Sequence, residues 1–261
     1  MYGTSEMSTA PQSSLSRRTV AELLGTALLV ATVIGSGIMG ETLASGNVAV
    51  ALLANTLATG AVLVTLILTF GPISGAHMNP VVTVADASHG GTPWREVPVY
   101  VAAQILGGLV GTACAHLMFG KPIFFASQHV RAGAPQLFSE FVATFGLLSV
   151  IWGTSRSRPG ATPFAVAAYI TAAYWFTAST SFANPAVTIA RAASDTFAGI
   201  RPADAPGFIA AQAVGATAAT LLFRWLVPKA PAVHPYLVSS EIAPKETRKE
   251  THEDGTVRLR P

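Results

Sequence analysis

Residues 76–85 read AHMNPVVTVA and residues 181–190 read SFANPAVTIA, and the likeness between these two stretches decides the architecture. A second pair, PVYVAAQ at 98–104 and PGFIAAQ at 206–212, follows the first pair at nearly the same separation. Glu22 and Glu140 stand in matching places ahead of them. Chance likeness among Ala- and Val-rich segments is common, but it does not reproduce order and spacing together, so the chain is an internal repeat.

Apolar runs surround these motifs. Hydrophobic residues make up 51% of the 261 positions and charged residues only 11%, with a mean hydropathy of +0.48. A soluble domain needs roughly 25% charged residues to cover its surface. The composition therefore predicts a lipid-facing protein, with spans near residues 17–40, 48–70, 97–118, 136–153, 163–179 and 206–227. Three spans per repeat is an odd number, so the second copy enters the membrane inverted. The channel domain is expected over 17–228, its repeats over about 17–118 and 136–227. Polar, disordered ends are expected at 1–16 and 229–261.

Basic residues gather at Arg17, Arg18, Arg156, Arg158, Lys229, Lys245, Arg248 and Lys249. The other side holds Lys121, Arg131, Arg191 and Arg201. This bias predicts that both termini are cytoplasmic. The basic residues are scattered and lack aromatic interleaving, so nucleic acid is not an expected partner. The only cysteine, Cys114, lies within a span, which rules out an intrachain disulfide. Ala103, Gly107 and Gly111 in the third span, and Gly207, Ala211 and Gly215 in the sixth, carry the four-residue spacing of closely packed membrane helices.

Asn followed by Pro starts a helix: Asn is a favoured N-cap, and Pro is pre-set for the first helical position. The apolar segments 81–87 and 186–193 are too short to span a bilayer. Each is expected to be a half-helix ending near the midplane, preceded by irregular backbone at 71–76 and 177–183. Such backbone is tolerated at membrane depth only where it is buried in protein or lines a watery cavity. Two opposed half-helices bring their positive dipole ends together, which repels cations and leaves the Asn amides to donate to a passing neutral solute.

On Ser74-to-Val81 (SGAHMNPV), Asn184-Pro185-Ala186, and the pairs Glu22/Glu140 and Gln104/Gln212, the sequence resembles the aquaporin family over residues 17–228. The resemblance implies an all-α membrane protein of six transmembrane helices plus two re-entrant half-helices. It also implies a homotetramer with one pore per subunit and no cofactor or resident metal. The midplane would be Asn79, Pro80, Val81, Asn184, Pro185 and Ala186. Backbone carbonyls of Gly75, Ala76 and His77 would line the pore, and the two Glu and two Gln would be structural.

Two departures bear on substrate. Val81 stands where the family usually has Ala. Val187 stands where water and glycerol channels of the family carry the Arg of the outer filter. Arg191, one turn further along, either substitutes for that Arg or, more simply, sits in a loop or against protein. Family spacing places Thr59, Ala172 and Ser181 beside Val187 in the filter, a ring without aromatic, imidazole or guanidinium. A ring of this kind resembles bacterial plasma-membrane channels for polyhydroxylated solutes. Arsenous acid and related metalloid acids are the first expectation, then glycerol or urea, with water alongside.

Other functions fit less well. A water-selective pore or a glycerol facilitator is the nearest alternative. A coupled transporter needs intramembrane carboxylates on the path, and only Glu22 and Glu140 qualify. A non-conducting membrane organiser has no use for two pore-facing Asn residues. Ser74 and His77 lie close in sequence but lack the oriented base and oxyanion hole of an enzyme.

Overall fold

The computed structural model describes residues 13–227. The expected disordered ends fall almost wholly outside this range. The described residues form eight α-helices: α1 (Leu15–Leu43), α2 (Val48–Ser74), α3 (Pro80–Ser88), α4 (Val97–Met118), α5 (Ala134–Ser157), α6 (Thr162–Phe176), α7 (Pro185–Ala192) and α8 (Ala205–Leu226). Helix α1 starts two residues ahead of the expected boundary at 17.

Five of these (α1, α2, α4, α5 and α8) are long and apolar enough to cross a membrane. The remaining expected span, α6, has 15 residues and follows a single 3-10 turn at Pro159–Ala161. At ~1.5 Å per residue it covers about 22 Å, less than a full bilayer core. Helix α2 also differs from expectation. It runs through Pro72 to Ser74, so the irregular backbone begins only at Gly75, whose φ of 91° ends the helix in a left-handed cap.

The repeat is visible in the packing. Helix α1 lies on α4, and α5 lies on α8 in the matching place. Glycine makes both crossings possible. A Cβ on Gly107 would sit 2.3 Å from the Leu23 carbonyl oxygen, one on Gly111 2.3 Å from that of Ala27, and one on Gly215 2.5 Å from that of Phe141. These neighbours are backbone atoms and cannot swing away, so the small-residue spacing is a steric requirement of the fold. The short helices α3 and α7 touch each other inside the bundle and pack on α4 and α8.

Large apolar side chains remain exposed along the outside, among them Leu28, Leu53, Leu57, Leu68, Leu106, Val110, Val214, Leu221 and Trp225. On a soluble protein such a surface would aggregate; in a bilayer it is the solvent-facing side.

Candidate functional site: a cavity between two opposed half-helices

Asn79 and Asn184 are the N-caps of α3 and α7, each followed by Pro at the first helical position. The Asn79 Oδ1 accepts from the Val81 amide at 3.1 Å. The Asn184 Oδ1 accepts from Ala186 at 3.0 Å and Val187 at 3.3 Å. Each cap satisfies donors that a buried helix start would otherwise leave unpaired. Each amide nitrogen then reaches across the molecule. Asn79 Nδ2 donates to the Ala183 carbonyl and Asn184 Nδ2 to the Met78 carbonyl, both at 2.8 Å. Val81 and Ala186 are buried just behind these junctions.

The backbone ahead of each cap is unusual in a repeated way. Ala76 and Met78 have φ of 48° and 47°, and their counterparts Ser181 and Ala183 have 52° and 49°. A non-glycine residue in the left-handed region costs about 1–2 kcal/mol, so something must hold these segments. Two buried carboxylates do. Glu22 accepts from the His77 amide at 2.9 Å, the Met78 amide at 2.6 Å and the Ser74 hydroxyl at 2.7 Å. Glu140 accepts from the Phe182 and Ala183 amides at 2.8 and 2.9 Å. Each carboxylate is steadied by a glutamine: Gln104 donates to Glu22 at 2.7 Å and to Thr83 at 2.9 Å, and Gln212 donates to Glu140 at 2.6 Å and to Thr188 at 3.0 Å.

These segments wall a cavity of about 330 Å³. Gly75, Ala76, His77, Asn79, Thr59, Ser181, Asn184 and Val187 all line it. Pro80, Val81, Pro185 and Ala186 lie behind the wall. Leu147, Leu148, Ile151 and Trp152 also line it, as does Asp86, which lies 3.7 Å from His77.

Ala172 is not in the wall. It is exposed on the outer side of α6, while Ile170 and Tyr174 face the cavity. Residues two apart on an α-helix point about 200° from each other, so 170 and 174 can share the pore face only if 172 points away. Counting back from Asn184 misplaced the residue because the register of α6 depends on the length of the loop after Phe176. The aromatic-free ring is corrected with it: the Tyr174 hydroxyl lies 3.2 Å from Thr59 Oγ1. The stripe Val166, Ile170, Tyr174, at intervals of four, was the available signal.

Arg191 also departs from the simpler expectation. It is in neither a loop nor a purely protein-facing position: it is 2% exposed and forms part of the cavity wall. Its Nε donates to the Ala198 carbonyl, and its guanidinium lies 3.3 Å from the centroid of the Phe182 ring. A second buried guanidinium, Arg131 from the loop before α5, lies 5.1 Å from the same ring. It donates to the carbonyls of Gly199 at 2.8 Å and Ser179 at 3.2 Å. Burial pushes Arg131 down to about 10, still charged at neutral pH.

A bundle of apolar helices enclosing a cavity between two inverted half-helices defines a membrane channel. The Major intrinsic protein family profile matches residues 9–168, and the chain belongs to that family. It is 52% identical over 231 residues to the aquaglyceroporin AqpS of Rhizobium meliloti (strain 1021), covering 88% of this chain and 98% of that one. Aquaporin NIP3-1 of Oryza sativa subsp. japonica is 36% identical over 150 residues, covering 54% of this chain and 46% of the relative. The aquaglyceroporin structure from Plasmodium falciparum shares the fold, with a TM-score of 0.63 at 22% identity over 82% of this chain and 98% of that one. Members of this family are channels for water and small solutes, and not enzymes.

Proposed function

We propose that the channel passes small uncharged solutes larger than water: arsenous acid and related metalloid acids, glycerol-like polyols and urea, with water alongside. The observation that carries this reading is Val187 on the cavity wall, directly after the second Asn-Pro-Ala, where water and glycerol channels of the family carry Arg. The Arg191 guanidinium lies in the same wall one turn further on, drawn against Phe182 and the Ala198 carbonyl. Thr59 and Ser181 in the same wall are small, and Tyr174 stands beside Thr59. Selectivity against cations would come from the two half-helix N-termini facing each other across the midplane. An aquaglyceroporin at 52% identity supports the class of solute.

Coupling to protons or sodium finds no support in the carboxylates within the spans. Glu22 and Glu140 are wholly buried, and their oxygens are taken up by backbone amides and glutamines. Assembly as a homotetramer in a bacterial plasma membrane, with both termini cytoplasmic, completes the proposal on family resemblance and charge bias.

Stopped-flow light scattering of proteoliposomes in gradients of water, glycerol, urea and arsenous acid tests it. Solute permeability above that of empty vesicles, unchanged by proton or sodium gradients, is the expected result. Water permeability alone would leave the chain a water-selective pore and overturn the reading.

A further inference from the structure

The outer wall of the cavity holds one buried guanidinium, Arg191, and has a second, Arg131, close behind it, more positive charge than a conduit for neutral solutes needs. Arg191 and Arg131 flank one ring, Phe182, and both are buried. Neither arginine belongs to an ion pair such as Arg18–Glu96, His77–Asp86 or Arg201–Asp204, so among the described residues neither has a carboxylate at contact distance. The acidic groups nearby are engaged elsewhere. Asp195 accepts from the Gln128 amide at 2.9 Å, and Asp204 accepts from Arg201 and from the Arg131 backbone amide. Partial desolvation and the two arginines hold the His129 imidazole below the ordinary value, against the smaller opposing pull of Asp195.

Glu140 acts on both guanidiniums, but from beyond contact distance and with its oxygens taken by the Phe182 and Ala183 amides and Gln212. A buried charge so weakly countered is costly, and an anion that fits beside it recovers part of that cost. The wall supplies a second, independent donor. Ser181 lines the same cavity, is 3% exposed, and its hydroxyl has no hydrogen-bond partner. Tyr174 and Thr59, already joined to each other, lie in the same wall. Deeper in, the wall turns apolar at Val187, Leu63, Val33 and Leu29. A charged solute held at the outer station would therefore have to shed its water to go further.

We propose that Arg191 and Ser181 form a binding site for a small monoanionic oxyacid at the outer end of the pore, where the anion is held and obstructs neutral solutes. The site rests on the channel reading for its effect on flux, but not for binding itself. A guanidinium and a free hydroxyl in one cavity wall match a head group with two or more equivalent oxygens.

Methanesulfonate is a suitable probe, being a monoanion at every working pH; dimethyl sulfone is its neutral counterpart. With probe at equal concentration on both faces of wild-type proteoliposomes, glycerol flux should fall with methanesulfonate and not with the sulfone. In Arg191→Gln the half-inhibitory concentration should rise roughly tenfold or more, the scale of one lost charge-assisted contact. If Arg191→Gln does not fold, Ser181→Ala carries the test with a smaller shift in the same direction. Glycerol flux equally indifferent to both probes overturns the inference and leaves the channel reading standing. Should glycerol not pass at all, the melting temperature of the purified protein decides. A rise with methanesulfonate alone, weakened in Ser181→Ala, sustains the site, and equal responses to the two probes remove it.

Discussion

Asn79 and Asn184 each donate, at 2.8 Å, to the backbone that leads into the other's helix. The two repeats are therefore stitched together at the midplane by the residues that start the half-helices. Each amide carries two N–H groups, and one of the two is committed to this link. The other is left for the cavity, which both residues line. A single side chain thus caps a helix, ties the repeats and offers a donor to the pore, and no other residue type does all three.

Asn184→Asp separates these duties. The carboxylate still caps α7, but it cannot donate to Met78, and it places negative charge beside two converging positive helix ends. Loss of the link should cost about 1–3 kcal/mol, read as a lower melting temperature. Offsetting the positive barrier should open a cation leak in planar-bilayer recordings. A stable variant with unaltered glycerol flux and no ion conductance would contradict the opposed half-helix account of selectivity.

The midplane was legible in the sequence because its geometry is local. An Asn-Pro pair dictates a capped helix start whatever surrounds it, and repetition at one spacing fixes the inverted partner. The carboxylate struts were legible for the same reason, since Glu22 and Glu140 recur in step with Gln104 and Gln212. Tyr174 was not, because which face of α6 meets the pore depends on loop length and on packing against α2. Arg191 was not, because nothing local distinguishes an arginine that ends a half-helix in a loop from one folded back on Phe182.

The face of α6 can be tested directly. Ala172 points away from the cavity, whereas Tyr174 borders it against Thr59. Ala172→Phe should therefore leave the ratio of glycerol to water permeability at its wild-type value, because the added ring projects outward. Tyr174→Ala should raise glycerol flux by widening the outer passage, and Tyr174→Phe should alter it less, because only the hydroxyl contact is lost. A large fall in glycerol flux on Ala172→Phe, with Tyr174→Ala silent, would reverse the assignment.

Thiol chemistry tests Ser181 independently. Cys114 lies exposed on α4 and is not part of the cavity wall. Mercurials should therefore leave wild-type water and glycerol flux nearly unchanged. Ser181→Cys puts a thiol on the wall three residues before Asn184, and mercury bound there should block most of the flux, with recovery on adding a reducing thiol. Mass spectrometry showing full modification of Ser181→Cys without inhibition would remove Ser181 from the conducting path.

Val187→Arg restores the family's usual guanidinium and tests why the passage is wide. The new side chain would stand one helical turn from Arg191, so the two cations repel each other at the four-residue spacing that brings helix side chains together. Part of this cost should appear as lower stability. The rest should push the new guanidinium toward the space beside Thr59 and Ser181, the part of the wall where width matters for solute passage. Glycerol and arsenous acid permeability should fall by roughly an order of magnitude relative to water, a barrier change of about 1.4 kcal/mol. The measurement is the ratio of solute to water permeability in proteoliposomes, normalised to reconstituted protein. An unchanged ratio with water flux intact would mean that position 187 does not set the limiting width. The breadth of the pore would then need a cause other than the missing arginine.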